Sequence, residues 1–563
     1  MRDCMRQMRR APPLALMFQL LVFFSSGNTS GASHALFPKA PPHSASETAP
    51  LWMPDDRGST APCGSVLDFG EAAAEASDFE RCGRDVAWLN QLQLPPFSVR
   101  WDASVVRYLE YYKFDPRGQT SIALLNRRAM RFRSLVEREF RSKNIPEDLV
   151  WVAMIESGFT MNARSTAGAC GLWQLMPETA KSYGLARDRW IDQRFHAEMA
   201  TRVAATMLAE LFHRFGTWEL ALAAYNYGQP GVMTAIRKYN TNDYWRLTQF
   251  EGALPWESTH YVPKIIAAAI VGRNPQAFGL TATDIEEPPS CEVVVAPGVP
   301  FKKIAKAASC EIRELSELNP ELRSGCTPPK SSIHQGPYRL RVPPEKAHSI
   351  VDFLSSLDHN ISTTPKKAEA LAPEVAAPSK KYTPKAETTS VHDESNVVVV
   401  PKLPFVYPGR ERYFYRTNDS DSLAEVAAKF SVTTDELCRW NLLDPLAHLQ
   451  SGMSVQLYLS SDKARPHTSL LAERSARILT VGSNEFFAYF EEQKGRLRLQ
   501  LAARAGDTIA RIGKRFGIPP ASMERINRRA RNELLDVGES VIVYVPKAKK
   551  LAAKSHVKPK NVK

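Results

Sequence analysis

The sequence predicts a multidomain chain: an all-α domain over residues 96–280, then small α+β modules ordered strand–helix–helix–strand. Three observations carry that expectation. At 563 residues the chain exceeds what one hydrophobic core serves, and domains of ~100–200 residues give three or four units. Apolar residues between 96 and 280 fall at helical spacing. From 291 onward the pattern shortens and recurs, as reused modules do.

In chain order, Arg2, Arg6, Arg9 and Arg10 precede an apolar run at 14–24 (LALMFQLLVFF) and the small residues SSGNTSGAS. That order reads as a secretory signal over residues 1–33 and implies export, to the periplasm or cell envelope of a bacterium. The run is shorter than the ~20 residues a spanning helix needs. An uncleaved signal is therefore the weaker alternative, and the one membrane contact to expect. No lipid-attachment cysteine directly follows the run. Residues 34–95, rich in Pro, Ala, Ser and acidic residues, read as a loosely ordered lead-in.

Within 96–280, the stretch 121–141 sets Leu124, Leu125, Leu135, Val136 and Phe140 on one side at helical spacing. Asn144, Ile145, Pro146, Glu147 and Asp148 read as a helix start: a capping side chain, then proline in the first turn, then acids at the positive end of the dipole. That helix runs into Glu156 and stops near Gly158. Residues 291–343 read as one strand–helix–helix–strand module, and 361–404, rich in Pro, Lys, Ala and Thr, as a semi-extended linker. Residues 413–459 and 498–546 repeat one pattern. Each has a strand, an Asp-Ser-Leu or Asp-Thr-Ile start, two helices, an asparagine (Asn441 or Asn527), and a glycine (Gly452 or Gly538) before the last strand. Residues 547–563 form a basic tail.

Composition narrows the partners. A net charge of +13 favours an anionic partner without choosing among nucleic acid, membrane surface and acidic polymer. Export and the lack of an aromatic-basic cluster argue against nucleic acid. The eight cysteines form no dense framework. Cys63 and Cys82 are one candidate pair, two of Cys291, Cys310 and Cys326 another, while Cys170 and Cys438 read as buried small apolar residues. No Cys or His cluster has zinc-ligand spacing, so neither metal nor cofactor is expected.

Three segments carry chemistry. The first runs from Glu156-Ser157-Gly158-Phe159 through Ser165 and Gly168 to Gly171-Leu172-Trp173-Gln174-Leu175-Met176-Pro177. The second is Ala223-Ala224-Tyr225-Asn226-Tyr227-Gly228, and the third Pro255-Trp256-Glu257 with Tyr261-Val262-Pro263-Lys264. Glu156 ends an apolar helix among Trp151, Ile155 and Phe159. Such surroundings disfavour the carboxylate and raise its pKa, which suits a proton donor to a glycosidic oxygen. Taken alone, a solvated helix-terminal glutamate is the commoner case. The glycine-rich run lets backbone approach a ligand closely, or is an ordinary turn. Trp173, Gln174, Tyr225 and Asn226 offer stacking faces and amides that suit a sugar polymer, or belong to core and surface.

Together these runs resemble the lysozyme-like lytic murein transglycosylase family, soluble and membrane-bound type D members alike, over about residues 96–280. The resemblance implies an all-α lysozyme-like catalytic domain acting on peptidoglycan glycan strands. It implies Glu156 as the single acid/base. Ser165 falls near the substrate's acetamido group or the catalytic carboxyl, and Gln174, Met176, Tyr225 and Asn226 in the glycan cleft. Glu257 and Tyr261 form the late motif, with Glu257 hydrogen-bonding in the cleft floor or serving as a structural ion pair. At His196 and Ala197, after Asp192-Gln193-Arg194, the chain departs from the family's usual Asp-Pro, which bears on a loop.

Ordinary glycosidases flank the bond with two carboxylates about 5–9.5 Å apart. The motifs supply one, and the resemblance implies that the muramyl acetamido group and C6 hydroxyl do the rest, giving 1,6-anhydromuramyl ends. Hydrolysis by an activated water is the runner-up, and a non-catalytic peptidoglycan-binding protein the other alternative. Residues 413–459 and 498–546 resemble LysM domains, which bind N-acetylglucosamine-containing glycans. The first has Ser420-Asp421 where the second keeps Gly506-Asp507-Thr508; 291–343 is a divergent relative around Leu318-Asn319-Pro320. Tethering modules raise the effective substrate concentration; a spacer without ligand is the plain alternative. Oligomeric state is not legible.

Overall fold

The computed structural model describes residues 87–281, 290–330, 336–358, 396–401, 405–464 and 469–547. The signal segment, Cys63 and Cys82, residues 359–395 and the tail beyond Lys547 lie outside the described residues.

The first part is helical: α1 (Ala103–Phe114), α2 (Pro116–Met130), α3 (Arg133–Arg141), α4 (Val152–Ser157), α5 (Pro177–Ser182), α6 (Ala197–Phe215), α7 (Trp218–Tyr227), α8 (Gln229–Tyr239), α9 (Tyr244–Gln249) and α10 (Trp256–Arg273). Aspartates start several of these helices. Asp102, Asp115 and Asp243 accept hydrogen bonds from first-turn amides, and Pro116 sits where no amide is needed. The centre is α10, apolar almost all round, with Val262, Ile265, Ile266, Ile270 and Val271 buried. It packs against α1, α7 and the turn before α4.

Two local expectations are corrected here. The 121–141 stretch is two helices that break at Arg131 and Phe132. Asn144 does not open a helix. With φ at 55° and the Ile145 amide bonded back to Phe140, it closes α3 in the left-handed conformation that asparagine tolerates. The chain then starts a 3-10 turn at Glu147–Trp151, continues as α4, and ends at Gly158, also left-handed. The lead-in also ends earlier than composition suggested. Ala87–Gln91 is a 3-10 turn, Leu89 is in the core, and Trp88 meets Phe114 and Phe278 edge-on.

Three modules follow. The first has β1 (Cys291–Val295), α11 (Phe301–Ala308), α12 (Ile312–Leu318) and β2 (Tyr338–Val342), with β1 antiparallel to β2 from Cys291↔Val342 to Val295↔Tyr338. A further helix, α13 (Ala347–Asp358), packs on it. β3 (Val397–Val400) then falls inside the stretch read as linker. Its four valines make a strand whatever the composition around them, and it pairs in parallel with β7 (Arg477–Thr480). The middle module is β4 (Glu411–Arg416), α14 (Leu423–Phe430), α15 (Thr434–Asn441) and β5 (Ser454–Leu459), with β6 (Leu470–Ala472) on the other edge of β4. After α16 (Asn484–Glu492), the last module is β8 (Arg496–Ala502), α17 (Ile509–Phe516), α18 (Pro520–Asn527) and β9 (Ser540–Pro546). Cys291, Cys310 and Cys326 are free thiols, so the pairing considered among them is not formed. Cys170 is buried and Cys438 half-buried.

The recurring asparagine has one physical job. In the last module the Asn527 amide donates to Met523 and Ile542 carbonyls and its oxygen accepts from the Ile542 amide. Asn441 makes the same bonds to Leu437 and Gln456, and Asn319 to Leu315 and Arg341. Each stitches the second helix to the last strand, satisfying backbone groups a short module would otherwise bury unpaired.

The modules lie packed on the helical domain, not loosely tethered to it. Asn242, fully buried, donates to the Asp444 and Ala447 carbonyls and accepts from the Asp444 amide. Asn240 binds Val399 and Ser454 in the same manner. The hydrophobic core runs without a break from the helical domain into the middle module. The first module docks through Asp192 N to Glu321 O at 2.8 Å and Arg323 N to Trp190 O at 2.8 Å. Asn242→Ala leaves buried backbone groups unpaired and is expected to cost about 1–3 kcal/mol in urea unfolding. The helical domain and middle module are expected to melt in one shared transition; two separated transitions in the parent would contradict a common core.

Candidate active site

Glu156 sits on the last turn of α4, half-buried, where α10 crosses. From α10, Tyr261, 1% exposed, donates its hydroxyl to Glu156 Oε1 at 2.5 Å. Burial pushes the Glu156 carboxyl up to about 8. The Tyr261 hydrogen bond opposes that rise, and the negative charge of Glu257 adds to it. A pKa at that level favours the protonated form at neutral pH.

The glycine-rich loop after Glu156 is held from beneath. Ser157 Oγ donates to Leu172 O at 2.8 Å. Gly171 has φ 80°, and a Cβ there would stand 2.0 Å from the Arg194 carbonyl, so only glycine fits. Arg194, 2% exposed, forks onto the fully buried Asp192 at 2.9 and 2.8 Å, and its remaining guanidinium nitrogen donates to Gly168 O and Leu175 O at 2.7 and 2.9 Å. A buried ion pair persists only when its other donors are used this fully. Trp173 is fully buried, its indole N–H donating to Thr201 Oγ1 at 2.9 Å.

The sequence-selected residues divide into two groups. Tyr225 and Asn226 lie in the last turn of α7, both half-buried, with Tyr225 near Glu156. The Tyr225 hydroxyl donates to Trp173 O at 3.0 Å, and burial, with the Glu156 charge, holds it well above its ordinary pKa, so it remains a donor. Asn226 Oδ1 accepts from Ser258 Oγ at 2.5 Å, tying α7 to α10. Met176, half-buried, precedes α5. Ser165 and Gln174 turn into the loop. Ser165 Oγ accepts from the Ala169 amide at 2.9 Å, and Gln174, at φ 45°, donates to Gly171 O and Ala163 O at 2.8 and 3.3 Å. Glu257 is exposed on the first turn of α10, near enough to Glu156 for its negative charge to raise that carboxyl's pKa. Ser157, Ser258, Asp192 and Arg194 were not picked out. The Asp192-Gln193-Arg194 spacing signalled a loop, but not that Arg194 carries the neighbouring one.

Comparisons with known proteins find the following similarities. Residues 135–248 match the family described as Transglycosylase SLT domain, residues 291–359 the Lytic transglycosylase MltD, LysM-like domain, and residues 415–457 and 503–543 the LysM domain. The chain therefore carries a helical transglycosylase domain followed by LysM-type modules. Membrane-bound lytic murein transglycosylase D of Escherichia coli K12 is 27% identical over 413 residues, 72% of this chain and 75% of the relative. Among solved structures, an inactive mutant of lytic transglycosylase Slt from Pseudomonas aeruginosa is 25% identical, covering 26% of this chain and 24% of its own, at a TM-score of 0.22. The 70-kDa soluble lytic transglycosylase of Escherichia coli is 18% identical, covering 37% and 42%, at 0.23.

Titration of the Glu156 carboxyl carbon by NMR is expected to give a midpoint near 8. Tyr261→Phe removes the contact that lowers it, so the midpoint rises; Glu257→Gln removes a negative charge, so it falls. The folded value lies above the ordinary 4.5, so the unfolded chain releases this proton first and stability drains away between about pH 4.5 and 8. Glu156→Gln is therefore expected to raise Tm over the parent at pH 8 and to lose that advantage near pH 4. A parent midpoint in the usual carboxylate range would mean the carboxyl is solvated.

Proposed function

We propose that this chain is a lytic transglycosylase that cleaves the β-1,4 bond between N-acetylmuramic acid and N-acetylglucosamine in peptidoglycan, with Glu156 as acid and then base. The observation that carries this reading is the half-buried Glu156 carboxyl at the end of α4, hydrogen-bonded by Tyr261 of the central helix, where burial pushes its pKa up to about 8.

In the first step Glu156 delivers its proton to the glycosidic oxygen as the bond to the muramyl C1 breaks, and the acetamido oxygen of the same sugar supports the carbon left behind. In the second, the muramyl C6 hydroxyl attacks C1, and the Glu156 carboxylate takes its proton. A 1,6-anhydro ring forms, no water is consumed, and the acid is restored. The internal attack gains from proximity. Tyr261 steadies the carboxylate between the two steps, while burial keeps the group basic enough to take the proton back. Tyr225, Asn226 and Met176 line the saccharide side. Ser165 and Gln174 act through the loop they brace, and Glu257 acts on the charge of Glu156 from the rim.

The LysM modules bind the same polymer, and export to the bacterial envelope brings enzyme and wall together. The amino-terminal signal reading supports export. Among the described residues, no helix is long and apolar enough to cross a membrane.

On purified sacculi, Glu156→Gln is expected to lower release of soluble fragments by at least about a thousandfold, and parent activity to fall as pH rises past about 8. Mass spectrometry of the fragments is expected to find 1,6-anhydromuramyl ends. Reducing ends would mean hydrolysis, and parent-level activity in the variant would remove Glu156 from the chemistry.

A further inference from the structure

The last module grips the turn that launches α10. Arg525, on α18, donates from Nε to Gly252 O at 2.8 Å and from Nη2 to Ala253 O at 3.0 Å, and its own carbonyl accepts from the Gly252 amide at 3.0 Å. The same guanidinium lies 5.2 Å from the centre of the Tyr227 ring, at the end of α7 and next to Asn226. Around it, Arg528 donates to Gln249 O at 2.7 Å, and the Glu251 carboxylate accepts from Arg498, at 2.8 Å from Nη2, and from the Tyr544 hydroxyl. One module therefore holds the turn at Gln249, Glu251, Gly252 and Ala253.

That turn leads straight into the working face of α10. Trp256 begins the helix, Ser258 holds Asn226, and Tyr261 holds Glu156. Arg525 thus touches both segments that carry residues of the candidate site, the end of α7 through Tyr227 and the approach to α10 through two carbonyls. Its plane suits both tasks at once: donors in the edge for carbonyls, a flat cationic face for an aromatic ring.

We infer that the carboxy-terminal LysM module is a fixed wall of the catalytic groove and that Arg525 is a positioning residue for the transglycosylase reaction, acting through Gly252–Ala253 and Tyr227 on the placement of Tyr261 against Glu156. This rests on the function proposed above. A module serving only as a glycan tether would alter substrate capture. A module that fixes α10 alters turnover and the protonation of Glu156. Slight misplacement of reacting groups is costly in rate, so the change is large even though Arg525 touches no substrate.

The test uses the full chain on purified, peptide-free glycan strands. Arg525→Met is expected to lower kcat roughly 10- to 100-fold, leave KM within about twofold, and displace the alkaline limb of the pH profile. Arg525→Lys, which keeps the charge and a donor, is expected to recover part of kcat. In the Glu156→Gln background, Arg525→Met is expected to co-sediment with sacculi as the single variant does. Should Arg525→Met fail to fold, Glu251→Gln loosens the same turn from its other side and carries the same expectation. Parent-like kcat and pH profile in a folded variant would overturn the inference, as would a loss confined to sacculus binding. A parent that releases no anhydro product would instead overturn the underlying function, so the two failures are distinct.

Discussion

One hydrogen bond, from Tyr261 to a carboxyl that burial keeps protonated, organises the molecule's chemistry. It joins the short α4 to the long central α10, two helices with no sequence proximity, and it needs both held still. The apolar wrapping of α10 fixes one partner. The other is fixed by the left-handed stop at Gly158 and by the loop that Arg194 and Asp192 support from below. Removing solvent from Glu156 raises its pKa, and the proposed mechanism needs a substrate to reach the proton so held. The two demands conflict, and Tyr261 resolves them by satisfying the buried side alone.

The modules obey a different constraint. A strand–helix–helix–strand unit of about fifty residues has too little core to seal all its backbone. Asn319, Asn441 and Asn527 each close the gap between helix and strand, and Asn240 of the helical domain offers the middle module the same pattern from outside. Docking therefore extends the rule that builds the module. The outcome is a frame in which the middle module and the helical domain share one core, although the composition of 361–404 reads as a semi-extended linker.

Much of this was legible in the letters. Helical spacing and the three motifs located the helical domain, Glu156 and Tyr261, and the repeated asparagine marked the modules. Side-chain direction was not legible. Gln174 reads as an amide that suits sugar, and its Nε2 is spent on the carbonyls of Gly171 and Ala163; Glu257 reads as a floor or ion-pair residue, and it stands exposed on the first turn of α10. The support under the loop was hidden for a related reason. Arg194 serves carbonyls at 168 and 175, and no local pattern announces a contact made across twenty residues. β3 was missed because composition, averaged over a window, outweighed four consecutive valines.

The corner at 239–243 also bears on how such an enzyme can be divided or inherited. Tyr239 packs on Phe486, and Asn240 and Asn242 spend their amides on backbone groups more than 150 residues away. A fragment ending after α10 would present those side chains to water with nothing to hold. Such a cut would also open the single apolar core that the helical domain and the middle module share, two stretches far apart in sequence. The two are therefore expected to be inherited more readily together than apart.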